Sequence, residues 1–259
     1  MILYFTGTGN SRFAAGILAE ELKEAAVPLN DIFKENRAWR FHSDTPFVFV
    51  VPIYAWRIPL KIEKLLKKAE FSGSRRIYLV GTMGAHAGLA GEYCRQILER
   101  RGLEYMGFAG IRMPDNYVVD YPMPDPKNAA RRIRASVPAI RHAAEKIRAG
   151  QPFDPVKIKK GDQRLSGPVN WAFNHLMVKF SRFSVSDTCI RCGKCVRQCP
   201  VNNIVLKNGK VRFGNHCMFC LACLHQCPAQ AIDYHGKAAE HGRYTCPLQA
   251  EDWERDADS

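Results

Sequence analysis

The sequence predicts an α/β chain: a doubly wound parallel sheet of five strands, order 2-1-3-4-5, followed by a smaller α+β domain built around cysteines. Three observations carry this. The first 150 residues alternate short apolar runs with amphipathic helical patterns. A Gly/Thr loop follows the first apolar run and opens the first helix. Of ten cysteines, eight fall between Cys189 and Cys227, and only Cys94 precedes them.

In chain order, the expected strands are residues 2–5, a weak edge near 29–33, the strongly apolar run 47–51, then 77–81 and 105–113. Helical patterns lie between them at 13–25, 60–69 and 88–101, with a final, very basic helix at 129–149. A Pro, Gly and Lys-containing connector follows. Next comes an apolar stripe over 170–183, read as a linker helix packed on one domain. The expected division is 1–150, 151–184, 185–240 and a tail at 241–259, whose acidic end 251–259 is expected to fray. With 46% apolar and 24% charged residues the composition is that of a globular protein. No run approaches the ~18 apolar residues of a membrane span. The start, MILYFTGTGNS, lacks a basic n-region, so it reads as a strand entering a loop and predicts a cytoplasmic chain.

Cys189, Cys192, Cys195 and Cys199-Pro200 follow C-x2-C-x2-C-x3-C-P, and Cys217, Cys220, Cys223 and Cys227-Pro228 repeat it 28 residues later. Three thiolates on one tight turn bind three irons of a cubane, and the fourth cysteine of such a run ligates the other cluster. The expected metal sets are Cys189, Cys192, Cys195 and Cys227 for one [4Fe-4S] cluster, and Cys199, Cys217, Cys220 and Cys223 for a second. Zinc sites also use C-x2-C pairs but do not require this third and fourth cysteine. Lysines and arginines number 38 against 25 acids, a formal +13. Two clusters of about −2 each lower this to about +9, and a flavin phosphate to about +7. No RNA-binding or helix-turn-helix pattern accompanies the excess. The basic stretches at 61–68, 131–148 and 156–164 are either solvated faces that need no partner or a docking patch, which suits acidic redox proteins better than nucleic acid.

Thr6, Gly7, Thr8, Gly9, Asn10 and Ser11 follow a strand and open a helix, so backbone N–H groups and hydroxyls face an anion at the helix N-terminus. There is no GK[ST], and Arg12 occupies the third glycine position of a dinucleotide fingerprint. A neutral cradle of this kind suits a phosphate monoester such as that of FMN. Pro52, Ile53, Tyr54, Ala55 and Trp56 follow the third strand, and Thr82, Met83, Gly84, Ala85 and His86 follow the fourth. Both lie at carboxyl ends of central strands, where doubly wound sheets bind ligands.

These three loops resemble the phosphate loop and the two isoalloxazine loops of flavodoxins, over residues 1–150. Residues 185–234 resemble bacterial two-cluster [4Fe-4S] ferredoxins. Together the chain resembles flavodoxin–ferredoxin fusion proteins of anaerobic bacteria and archaea. The resemblance implies FMN with Tyr54 or Trp56 stacked on it, two [4Fe-4S] clusters, and exchange between two-electron and one-electron steps. Ala85 and His86 stand where flavodoxins often carry an aromatic, which leaves a flavin face open. The second loop lacks the glycine that permits a peptide flip. The long loop 113–126, with Asn116 and Tyr117, is expected to cover the flavin, touch the second domain, or simply pack. Two other readings remain at this point: a flavin-dependent reductase of an organic or nicotinamide substrate, and a basic nucleic-acid-binding module with structural clusters.

Overall fold

Alternation within the central strands sets the architecture. Phe47, Phe49 and Val51 join Leu3, Phe5, Ile77 and Leu79 in one buried cluster. Val48 and Val50 join Ile2, Tyr78 and Val80 in another. A strand sends successive side chains to opposite faces, so a strand apolar at every position must be covered on both. The computed structural model describes residues 1–250. Its main sheet is built from β1 (Ile2–Tyr4), β2 (Ala26–Pro28), β4 (Phe47–Pro52), β6 (Arg76–Met83) and β7 (Glu104–Arg112). All neighbours are parallel, in the order β2-β1-β4-β6-β7, which counted along these five strands is the expected 2-1-3-4-5. Helices α1 (Asn10–Leu22) and α6 (Val137–Arg148) cover one face. Helices α2 (Leu29–Lys34), α3 (Leu60–Lys68) and α4 (Ala90–Arg100) cover the other.

Three elements differ from expectation. The edge strand is Ala26–Pro28, while the residues expected to form it are α2, because Leu29, Ile32 and Phe33 are buried at helical spacing. The single basic helix expected at 129–149 is two, α5 (Pro126–Arg134) and α6. Pro138 has no N–H to continue the ladder and sits in the first turn of α6 instead. A parallel pair, β3 (Arg40–Ser43) with β5 (Glu70–Gly73), flanks the sheet.

The linker helix begins earlier than the apolar stripe, at Asp162, and runs through α and π turns to Met177. It docks by polar residues: Asp162, Ser166 and Asn170 are buried, while Trp171, Leu176 and Met177 of the stripe are exposed. The cysteine-rich part pairs β8 (Phe183–Val185) with β11 (Ile232–Tyr234), and β9 (Ile204–Lys207) with β10 (Lys210–Phe213), both antiparallel. Its core gathers Ile204, Phe219, Leu224, Ile232 and Tyr234 around the cysteines and takes in Val118 from the long loop. Residues 242–250, expected as tail, run back over α1: Tyr244 and Cys246 are buried, and Ala250 closes on Gly16. The acidic end 251–259 lies outside the described residues. No helix among the described residues is long and apolar enough to cross a membrane.

Candidate functional site: two cysteine sets against a phosphate-type loop

The Gly/Thr loop joins β1 to α1 and turns at Gly9, whose φ of 108° requires glycine. Its polar groups are tied to three other segments. Thr6 Oγ1 accepts from Gly9 N at 3.0 Å, and Asn30 Oδ1 accepts from Thr6 N at 3.0 Å. The Ser11 and Thr82 hydroxyls share a hydrogen bond of 2.8 Å. Asn10 Nδ2 donates to the Pro114 carbonyl at 2.9 Å, and Asn116 Nδ2 to Thr8 Oγ1 at 2.8 Å. The cleft between these segments is lined by Thr6, Gly7, Thr8, Asn10 and Ser11, by Pro52–Tyr54, by Thr82–Gly84 and by Pro114–Asn116. It is narrow, about 60 Å³. Asp115 is its one charged side chain, so the donors facing it are neutral.

Not every expected loop residue reaches the cleft. Gly9 faces Cys246 instead. Ala55, Trp56, Ala85 and His86 lie outside its walls, along the linker helix. There Asn170 Nδ2 donates to the Ala55 carbonyl at 2.8 Å, and His86 Nε2 stands 3.3 Å from Asp162. Ala55 and Trp56 both take positive φ (45° and 64°), which aims the loop toward that helix at some cost in backbone strain. Ala85 is exposed. The Tyr54 hydroxyl is buried without a hydrogen-bond partner.

Seven of the eight clustered cysteines draw together in two sets, and each set crosses the repeat. Cys199, Cys217, Cys220 and Cys223 line one enclosed apolar cavity, although Cys199 belongs to the first repeat. Burial, then the neighbouring Cys220, pushes the Cys217 thiol up to about 12. Burial pushes Cys220 up to about 11, with Cys199 adding to it. Around Cys195 the neighbours that raise the thiol, after burial, are Cys227 and Cys189. Backbone N–H groups of Asn203, Phe219 and Ala231 donate at 3.3 Å to the sulfurs of Cys199, Cys217 and Cys227. All ten cysteines are free of disulfides. Among the described residues no three His, Cys, Asp or Glu side chains converge on a point for one ion. Cys94 is on the buried face of α4, where burial holds its thiol well above the ordinary range.

The second cysteine group lies directly on the Gly/Thr loop. A Cβ on Gly7 would run into the Cys220 backbone carbonyl, and Gln226 Nε2 donates to the Gly7 carbonyl at 2.9 Å. Tyr54 feels Cys220 and Cys217 as neighbours that, after burial, raise its hydroxyl. Buried His225 bridges further: Nε2 pairs with the Asn116 carbonyl at 2.9 Å and Nδ1 accepts from Tyr244 N at 3.1 Å. Burial depresses its pKa to about 4, so the imidazole is neutral. Cys246 N donates to the Thr8 carbonyl at 2.7 Å, and the Tyr244 hydroxyl bonds Asn10. Sequence reasoning missed Gln226, His225, Tyr244 and Cys246; none of them has a spacing signature.

Residues 183–228 match the family described as a 4Fe-4S dicluster domain. The chain joins a flavodoxin-like domain to a ferredoxin-like domain. The first half of that statement rests on the parallel strand order above. Solved structures similar to the first part include a flavodoxin from Streptococcus pneumonia TIGR4, at 14% identity over 57% of this chain and 97% of that one, TM-score 0.38. Another is two-electron reduced Megasphaera elsdenii flavodoxin, at 19% identity over 56% and 99%, TM-score 0.33. A third is the Trp repressor binding protein from Bacillus subtilis, at 12% over 56% and 95%, TM-score 0.33. No curated protein matches the chain.

The contact at Gly7 is testable in isolation. Gly7→Ala should leave both domains folded but push the ferredoxin-like domain off the loop, at about 1–3 kcal/mol. Hydrogen exchange should then rise together in residues 6–9 and 218–222, and unchanged protection in both would refute the contact.

Proposed function

We propose that this chain is an electron-transfer protein that carries FMN and two [4Fe-4S] clusters and exchanges two-electron for one-electron steps within one molecule. The observation that supports this best is the seating of the Cys199, Cys217, Cys220 and Cys223 group on the Gly/Thr loop, through Cys220 on Gly7 and beside Tyr54. FMN, when bound, accepts electrons singly or in pairs, while each cluster passes one.

The residues present suit these groups. Thr6, Gly7, Thr8, Asn10 and Ser11 would hold the phosphate, with Gly9 making the turn: the donors are neutral, and the start of α1 carries the positive end of a 13-residue helix. Pro52, Ile53 and Tyr54 with Thr82, Met83 and Gly84 would flank the flavin ring, while Ala55, Trp56, Ala85 and His86 stand outside that cleft. Cys189, Cys192, Cys195 and Cys227 would hold one cluster and Cys199, Cys217, Cys220 and Cys223 the other. Burial favours neutral thiols at the second group; coordination to iron deprotonates them outright. The amide donors on Cys199, Cys217 and Cys227 stabilise the negative sulfur and so bear on the potential of each cluster.

The two groups differ in access. Cys192 is exposed between basic neighbours Arg191 and Lys194, and Ile190 on the same loop is 65% exposed. This loop is where we place docking of an acidic redox protein, with short-lived, salt-sensitive association. The second group is covered by the flavodoxin-like domain and exchanges electrons inward.

Two measurements check this reading. Protein purified anaerobically should contain about eight iron per chain and one noncovalent FMN. Stoichiometric zinc without iron removes the clusters from the account, and FAD in place of FMN overturns the phosphate-loop assignment. Cys199→Ser, although in the first repeat, should perturb the resonance spectrum of the second cluster and spare the first. The reverse pattern would mean that each repeat holds its own cluster.

A further inference from the structure

A large cavity among the described residues lies beyond Tyr54, between the start of α3, the end of the linker helix and the loop carrying Cys217, Met218 and Phe219. It holds about 530 Å³, within the range of small-molecule sites. Tyr54 is common to its wall and to the wall of the phosphate cleft. We propose that this cavity is a binding site for a small aromatic carboxylate.

Its walls specify both halves of that ligand. Phe33, Tyr54, Phe173, Phe180 and Phe219 give it aromatic faces and edges for a planar ring. The charged side chains of the lining are Lys61 and Lys64, with no aspartate or glutamate. Neither lysine has a carboxylate partner among the described residues, although this chain pairs many of its other cations. The ammonium of Lys61 stands 5.5 Å from the Phe33 ring and 5.3 Å from Trp39, which holds it at the rim. Pro59, Leu60 and Lys61 bring the amino end of α3 to the same side, and its dipole adds to the attraction for an anion. The buried Tyr54 hydroxyl, which has no hydrogen-bond partner among the described residues, supplies a donor for a polar ring substituent. A bound carboxylate would complete two cations and a helix end, and its ring would replace water against five aromatic side chains.

The site goes beyond electron transfer between the two domains and does not depend on what fills the phosphate cleft. Calorimetric titration of the iron- and flavin-loaded protein with benzoate tests it, with benzamide as the neutral analogue. Benzoate should bind saturably at one per chain, and benzamide about tenfold more weakly, the scale of a charge-assisted hydrogen bond. Lys61→Gln with Lys64→Gln should bring benzoate to the level of benzamide while the visible spectrum stays unchanged. Lys64→Gln alone, at an exposed position, should weaken benzoate without disturbing the ring contacts of Lys61. The inference is overturned by absence of saturable benzoate binding, by equal affinity for benzamide, or by undiminished affinity in the double variant. If the purified chain lacks flavin but binds benzoate as described, the FMN reading fails and this one stands.

Discussion

The close approach of the Cys220 carbonyl to Gly7 is the contact on which the arrangement of this chain depends. It brings backbone against backbone, with no side chain between the Gly/Thr loop and the turn that carries three cysteines. Only a residue without a Cβ allows this at position 7. The neighbouring bonds then follow. Gln226 reaches the Gly7 carbonyl, His225 reaches Asn116, and the segment around Tyr244 and Cys246 closes over Thr8 and Asn10. Cys220 and Ala222 are thereby counted in the same buried cluster as Phe5, Phe49 and Leu79 of the sheet. The two domains share a core at this point rather than meeting across a wet interface.

Electrostatics and burial act in the same direction. The second cysteine group is enclosed and apolar, which raises the cost of exposed negative charge there and would keep its thiols neutral without iron. The first group opens to solvent at Cys192 amid basic residues. One end of the cysteine-rich domain thus faces inward to the flavodoxin-like loops, and the other faces outward. The linker helix reinforces this by docking on the outer loops through Asn170, Ser166 and Asp162.

Much of this was legible in the sequence. The parallel, doubly covered sheet followed from uniformly apolar runs separated by helical periods, and its order from the likeness to a flavodoxin-like doubly wound sheet. The expected cysteine sets came from cluster chemistry; the structure brings Cys199 to Cys217, Cys220 and Cys223, and Cys227 and Cys189 to Cys195. The long loop 113–126 was conspicuous by its length, and it does touch the second domain, through Val118 and Tyr117. What stayed hidden had no periodic or compositional mark. Residues 29–33 looked like an edge strand because five residues cannot separate helical from strand burial. Residues 242–250 looked like a tail because two buried side chains, Tyr244 and Cys246, are too few to form a pattern. The apolar stripe of the linker suggested one buried face, yet only part of it packs: Phe173 meets Tyr117 and Phe219, Trp171, Leu176 and Met177 are exposed, and Asp162, Ser166 and Asn170 supply the polar docking. The contact between Gly7 and Cys220 joins positions more than two hundred residues apart, and a glycine in a loop announces only that space is needed, not what fills it.

The central claim is that the two redox domains serve one another within the same molecule. Following flavin reduction after rapid reduction of the clusters, over a range of protein concentrations, tests it most directly. A shared core makes the encounter intramolecular, so the rate constant should be independent of protein concentration. A rate proportional to protein concentration would mean that electrons pass between separate molecules, and that the close seating of the second cysteine group on the Gly/Thr loop has no part in their transfer.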